Sequence, residues 1–319
     1  SENVGDDGYI DGQICLDAIS KLETFAAQPD VPFFLAVGFK KPHIPFIAPK
    51  KYWDLYQRDS LKLAPFQQMA EGSPEYAYFH AEPAQYDDIP DLWTYNDVSL
   101  GNGILDLPLQ RKLIHGYYAC VSYVDAQVGK LMETLEELNL DENTIIVLLG
   151  DHGYHLGDHN QWGKHTNFES AVNAPLIIYS PENNGAICET SVDFIDVYPT
   201  LTKLVFNEKP SHLSGNDLTP LLTGGNITKN YSVSEYRSSG HSSYSLRNNR
   251  FRLTLWFKTS NNRPDKESWN PDNILEGELY DFLEDSLQTK NLYNNLAYQN
   301  IKEEIFGEAQ LWWDKQYNH

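Results

Sequence analysis

The run IIVLLG, from Ile145 to Gly150, leads directly into Asp151, His152 and Gly153. A short β-branched and leucine run closed by glycine reads as a strand covered on both faces, as in a parallel α/β sheet. Open sheets of that class collect their sites at the carboxyl ends of the strands. The pattern therefore predicts that Asp151 and His152 project from a sheet edge into a crevice, with Gly153 permitting a sharp turn beneath them. An aspartate oxygen beside an imidazole nitrogen suits a divalent cation. The competing reading makes Asp151 a turn cap and the histidines that follow, His155, His159 and His165, ordinary loop residues.

The flanking chain supports the α/β reading. Ahead of the strand, from Asp106 and with Pro108 suited to a first turn, apolar residues recur at Leu113, Tyr117, Cys120, Val124, Val128, Leu131, Leu135 and Leu138. These steps of three and four define one face of a long helix. An amphipathic helix is expected near Gln13 to Ala27, and FFLAVGF (33–39) and PLIIYS (175–180) read as further buried strands. Between about Tyr52 and Leu105 the chain is rich in Pro, Tyr, Asp and Gln with little period, a long irregular excursion. VDFIDVYPTLTKLV reads as a helix despite Pro199. Beyond about Leu204 the apolar stretches alternate as antiparallel strands do: YSLRNNRFRLTLWF as a hairpin turned at Asn248 and Asn249, GELYDF as a strand, then a helix from Ile301 to Trp313. The expected architecture is an α/β unit over residues 1–205 with a mostly parallel sheet between helices, followed by a smaller α+β unit over 206–319 carrying an antiparallel sheet. Only three core strands are visible in the first unit, fewer than a doubly wound sheet needs.

A net charge of −21 argues against nucleic acid as partner and against retention on anionic lipid. No apolar run approaches a membrane span. Cys15, Cys120 and Cys188 are far apart and lack metal-ligand spacing.

A second cluster, KKPHIPF, also follows a predicted strand, so Lys41 and His43 are expected at the same sheet edge as Asp151 and His152. Lys164 lies in a loop able to fold back over that edge. A cation, two lysines and histidines describe a pocket for an oxygenated anion such as sulfate or phosphate, where positive groups stabilise the charge that develops during transfer.

FLAVGFKKPHIPFIAPKKYWDLY, YYACVSYVDAQVGKLMETLEEL, TIIVLLGDHGYHLGDHNQWGKHTNFE, APLIIYSP, VDFIDVYPTLTKL and GELYDFLEDSLQTKNLY occur in the order of the type I sulfatases of the alkaline-phosphatase-like superfamily. Over nearly its whole length the chain resembles that family, most closely its iduronate-2-sulfatase and bacterial polysaccharide sulfatase branches. The resemblance implies a calcium ion held by Asp151 and His152, and contacts from His43 and Lys164 to the sulfate and its bridging oxygen. Lys41 is either a substrate contact or a solvated neighbour of the motif. Tyr154 and His155 fall where the resembling enzymes place substrate-facing side chains; Trp162 and His165 are sugar-contact or loop-packing candidates. Arg237 is expected to meet a sugar carboxylate or to pair with an acidic neighbour.

The family's nucleophile is a formylglycine made from the cysteine of Cys-x-Pro-x-Arg, and none of the three cysteines has that context. The aspartate pair that completes the family's calcium shell is also not recognisable, although Asp6 and Asp7 offer a superficial copy. The resemblance thus implies the carboxyl-terminal portion of a sulfatase whose remaining strands, nucleophile and ligands lie on an amino-terminal segment or separate chain. The implied substrate is a sulfated carbohydrate attacked from its end, a 2-O-sulfated uronate or an algal polysaccharide fragment. The implied location is periplasmic or secreted, lysosomal if eukaryotic. A phosphodiesterase or phosphonate hydrolase of the same superfamily, and a non-catalytic glycan-binding fragment, are the alternatives.

Overall fold

Three helices make the first layer. In the computed structural model, which describes residues 1–78, 105–183, 185–238, 240–258 and 271–317, α1 (Ile10–Ala26) is followed by a short α2 (Lys50–Trp53) and the long α3 (Leu107–Glu137). Asp106 caps α3 by accepting from the Leu109 amide at 2.8 Å, and Pro108 sits in its first turn. The deepest stripe of α3 runs through Leu113, Ile114, Cys120, Tyr123, Gln127 and Leu135. It meets α1 closely, for the Tyr123 hydroxyl accepts from the Gly12 amide at 2.6 Å and donates to the Asp6 carbonyl at 2.7 Å. A β-carbon on Gly12 would lie 1.9 Å from the Asp6 oxygen, so only glycine permits this approach. Ile44, Phe46, Ala48, Tyr52 and Trp162 join the α3 side chains in one core. Each large side chain buried there contributes roughly 1.5–3 kcal/mol. The predicted excursion from Tyr52 to Leu105 falls partly on residues 79–104, outside the described residues.

The strands of this unit differ from the expectation. β1 (Ile146–Leu149) is followed by α4 (Glu169–Val172) and β2 (Leu176–Tyr179), and the two strands pair antiparallel, Ile146 opposite Tyr179 and Leu149 opposite Leu176. Nor are they covered on both faces: Leu149 is 43% exposed and Ile177 57%. Residues 33–39 form no strand, and Phe34 is 85% exposed. The physical reason is pairing. A strand exists only beside a hydrogen-bonding neighbour, and among the described residues none lies along 33–39, although Phe33 stacks on Phe25 at 4.7 Å.

α5 (Val197–Phe206) begins behind a capping box in which the Asp193 and Asp196 side chains each accept from the other end's backbone. Pro199 lies in its first turn, where a missing amide costs nothing.

Beyond α5 the chain builds a four-stranded antiparallel meander, β3 (Ser232–Ser238), β4 (His241–Arg247), β5 (Phe251–Lys258) and β6 (Ile274–Asp281), covered by α6 (Gln299–Tyr317). The β4–β5 turn is the expected one, with the Asn248 side chain accepting from the Arg250 and Phe251 amides. Alternation splits β5 between two layers. Leu253, Leu255 and Phe257 pack with Ile305, Ala309 and Trp313 of α6. Trp256 packs the other way with Ala70, Ala77, Tyr78, Phe168 and Tyr280. On that second face Glu278 is buried and accepts from Ser73 Oγ, Trp256 Nε1 and Tyr280 OH at 2.6–2.7 Å, fastening the 70–78 segment to the sheet. No helix among the described residues is long and apolar enough to cross a membrane.

Candidate active site

The DHG motif leaves β1 at its carboxyl end. The Gly150 amide still bonds the Pro175 carbonyl at 3.0 Å, so the strand pair delivers Asp151 and His152 to its rim. Asp151 is 86% exposed. The His152 Nδ1 meets the Gly153 carbonyl at 2.7 Å; a carbonyl only accepts, so that nitrogen carries the proton and Nε2 is left as the ligating atom. It lies 3.7 Å from Asp151 Oδ1, so an oxygen and a nitrogen donor converge. Gly153 then turns tightly under α4, its amide bonding the Ala171 carbonyl at 2.7 Å; a β-carbon there would sit 2.1 Å from the Ser170 oxygen.

Residues 155–163 form a closed loop. The His155 amide bonds the Gly163 carbonyl at 2.7 Å and the Gly157 amide bonds the Gln161 carbonyl at 2.9 Å, with Gly157 at φ 101°. His155 is wholly buried, its Nδ1 2.5 Å from Asp158 Oδ2 and its Nε2 2.7 Å from Thr166 Oγ1. Burial pushes the Asp158 carboxyl up, but the His155 contact outweighs it and holds the group below its ordinary value. His159 stacks on Phe168 at 4.2 Å, and burial drives its imidazole down to about 4. Trp162 fills the space beside Gly157 in the first core. The loop closes on itself and leaves the half-buried Lys164 and exposed His165 just beyond its closing bond, where the Thr166 amide bonds the Lys164 carbonyl at 3.0 Å.

The KKPHIPF turn packs against the same wall. Phe46 meets Tyr154 edge-on at 5.9 Å, and both rings meet Tyr117 of α3. Both of its X-Pro bonds, Lys41-Pro42 and Ile44-Pro45, are cis. His43 is exposed and its Nδ1 meets the Ile44 carbonyl at 2.6 Å. As at His152, Nε2 is left to act.

Three expectations need correction. His155, expected to face substrate, is a buried loop-core residue, while Trp162 takes the loop-packing alternative. Lys41 turns inward, its Nζ bonding the carbonyls of His43 at 3.0 Å and Pro45 at 2.5 Å, and burial pushes its ammonium below the ordinary lysine value. Tyr154 is half-buried against Phe46 and Tyr117. Arg237 on β3 makes an ion pair with Glu235 at 2.5 Å, the acidic-neighbour reading. Asp11, Asp158 and Thr166, which support the two loops, carried no motif signal. Asp158 was legible only as an acid three residues beyond a histidine.

Asp151 and His152 offer a calcium ion two ligands of the six to eight it takes, and no group of three or more His, Cys, Asp or Glu among the described residues could hold a metal. Asp151 and His152 would supply at most one side of a calcium shell. Cys15, Cys120 and Cys188 are free thiols, the first two buried.

The sulfatase family model matches residues 3–207, and the model described as N-sulphoglucosamine sulphohydrolase, C-terminal, matches 157–311. The chain belongs to the sulfatase family. Human iduronate 2-sulfatase is 30% identical over 344 residues, covering 88% of this chain and 60% of that protein. A sulfatase of Formosa agariphila is 31% identical over 234 residues, 69% of this chain and 42% of that one. The chain thus spans about half the length of the curated relatives it matches. Among solved structures, a protein bound to its substrate D-glucosamine-2-N,6-O-disulfate superposes with a TM-score of 0.74 at 20% identity, over 97% of this chain and 70% of the other. The phosphonate monoester hydrolase of Silicibacter pomeroyi superposes at 0.76 and 21%, over 98% and 61%. The fold is that of the alkaline-phosphatase-like sulfatases, with the antiparallel unit at its carboxyl end.

Proposed function

We propose that this sulfatase chain supplies the leaving-group side of a sulfuric ester hydrolase acting at the end of a sulfated glycan. The observation that carries the reading is the packing of Phe46 on Tyr154, which brings the His43 turn and the DHG-to-Lys164 loop against one wall. His43 Nε2, a donor only when the ring carries a second proton beside the one Nδ1 gives the Ile44 carbonyl, and the Lys164 ammonium are assigned to the sulfate and its bridging oxygen, where a donated proton or positive charge offsets the charge of the departing alkoxide. Asp151 and His152 would hold calcium from one side; the ion, when bound, would draw charge from the nonbridging sulfate oxygens. A formylglycine outside these residues would supply the attacking oxygen. The companion that carries it, together with further calcium ligands and strands, is an amino-terminal segment or chain of the same sulfatase. The exposed Leu148, Leu149, Ile177 and Phe34 are the apolar surface that such strands would cover. A 2-O-sulfated uronate is favoured as substrate because human iduronate 2-sulfatase matches over most of the chain. An extracytoplasmic setting, periplasmic, secreted or lysosomal, goes with a polysaccharide substrate.

The test is sulfate release from a sulfated uronate disaccharide by the enzyme carrying its formylglycine segment, beside hydrolysis of a phosphonate monoester. Faster turnover of the phosphonate would overturn the sulfatase assignment, and no turnover of either would leave a glycan-binding role.

A further inference from the structure

A carboxylate buried at the start of α1 has no place in the chemistry above, yet it touches the segment that carries His43. Asp11 is fully buried. Its Oδ1 accepts from the Lys40 amide at 2.8 Å and its Oδ2 from the Lys41 amide at 2.9 Å, so two consecutive peptide groups converge on one side chain. Charge-assisted bonds of this kind are about twice as strong as neutral ones and fix direction as well as distance.

The contacts continue into the turn. Lys41 Nζ bonds the His43 and Pro45 carbonyls, and the His43 amide bonds the Lys40 carbonyl at 3.0 Å. The backbone on both sides of His43 is therefore tied down, and His43 Nδ1 is itself engaged by the Ile44 carbonyl. Behind the brace, α1 is immobilised by the Tyr123 hydroxyl on the Gly12 amide. Asp11 and Lys41 are both buried, Asp11 bonded to the two backbone amides and the Lys41 ammonium to the two carbonyls, so removing either strands its polar partners in the interior.

We infer that Asp11 and Lys41 form a positioning brace that aims the His43 imidazole at the substrate's sulfate ester. The inference rests on the assignment of His43 above. Neither residue touches substrate: Asp11 is sealed from solvent and the Lys41 ammonium is spent on carbonyls. Their effect on turnover therefore passes through His43.

A double-mutant cycle on the formylglycine-bearing enzyme, with a sulfated uronate disaccharide as substrate and unfolding followed in parallel, tests it. Asp11→Asn keeps shape but replaces one acceptor with a donor facing an amide; Lys41→Met removes the two carbonyl contacts and keeps much of the stem. Each is expected to lower kcat on the order of tenfold to a hundredfold with KM moved less than about threefold, since small misplacements of a reacting group act on the barrier. In a His43→Ala background neither should lower kcat by more than about twofold. If Asp11→Asn does not fold, the Lys41→Met arm decides by the same criterion. Losses that persist in full in the His43→Ala background make the pair merely structural and overturn the brace. Unchanged turnover in both single variants overturns it as well. A His43→Ala enzyme with normal turnover removes His43 from the site and the brace's catalytic role with it, a failure of the functional reading that the single-variant comparison distinguishes from a failure of the brace.

Discussion

Arg252, buried at the second position of β5, pairs with Glu169 at the first position of α4 and bonds the Asn167 carbonyl, so the second unit holds the chain a few residues beyond Lys164. Arg247 adds a contact to the same carboxylate at 3.1 Å, and Asn167 is held further by Ser243 and Ser234. Burial lowers the Arg252 guanidinium to about 10, opposed by the Glu169 charge. The antiparallel unit thus fixes the chain just after the 155–163 loop.

Arg252→Met should destabilise the enzyme by about 3 kcal/mol, because it strips the buried Asn167 carbonyl of its donor and the partly buried Glu169 carboxylate of one of two arginines. Glu169→Gln, at a less buried position that retains two arginines nearby, should cost less. Urea unfolding of both variants checks the order. Equal, small losses would mean that the sheet does not anchor the loop.

Much of this arrangement was legible in the residues, and what was not has a common cause. α3 and the Asn248 hairpin rest on local signals: an N-cap with proline and a two-asparagine turn. The parallel sheet was inferred from hydrophobicity alone, and IIVLL has the same composition whether a strand is covered or bare. Long-range polar partners leave no periodic trace, so Asp11 beneath Lys40 and Arg252 beneath Asn167 were invisible. His155 was misread as substrate-facing because a histidine in a motif loop looks the same whether its two nitrogens meet a sugar or, as here, Asp158 and Thr166.

Stability should fall on mild acidification because of His159. Its imidazole is held near 4 by burial, against 6.5 for an ordinary histidine, so the unfolded chain takes up a proton first. This contribution is complete above pH about 6.5, is lost progressively as pH falls to about 4, and is constant below that, amounting to about 3 kcal/mol. Asp6, held at about 2 by hydrogen bonds from Lys130 and Lys51 against its desolvation, acts separately, between the ordinary value of 3.8 and 2. Unfolding free energies from pH 7 to 4 should therefore slope in the wild type and flatten in His159→Phe. Parallel slopes would assign the acid sensitivity elsewhere.

Asp151→Asn should weaken calcium binding and depress turnover together, since a neutral amide removes charge from a site that must hold a dication beside an anionic ester. Calcium titration of the formylglycine-bearing enzyme followed by rate measurement in excess calcium separates the two effects. A rate restored fully by added calcium places Asp151 in binding alone. Unchanged affinity makes it a turn residue, in keeping with its high exposure.

Lys164→Ala should lower the rate on a sugar sulfate far more than on an activated aryl sulfate. Lys164 is half-buried just beyond a loop closed by the His155–Gly163 backbone bond, with its carbonyl held by the Thr166 amide, so its backbone is fixed. If that ammonium serves the bridging oxygen, its contribution grows with the negative charge the oxygen accumulates, and a poor alkoxide leaving group accumulates more than a stabilised phenoxide. Loss of one preorganised contact costs on the order of 3 kcal/mol, roughly a hundredfold in rate. The measurement is kcat/KM for wild type and variant on one substrate of each kind. Large and equal losses would move Lys164 to the nonbridging sulfate oxygens, whose charge does not depend on the leaving group in this way. Changes below about twofold on both would make it a surface loop residue with no part in the reaction.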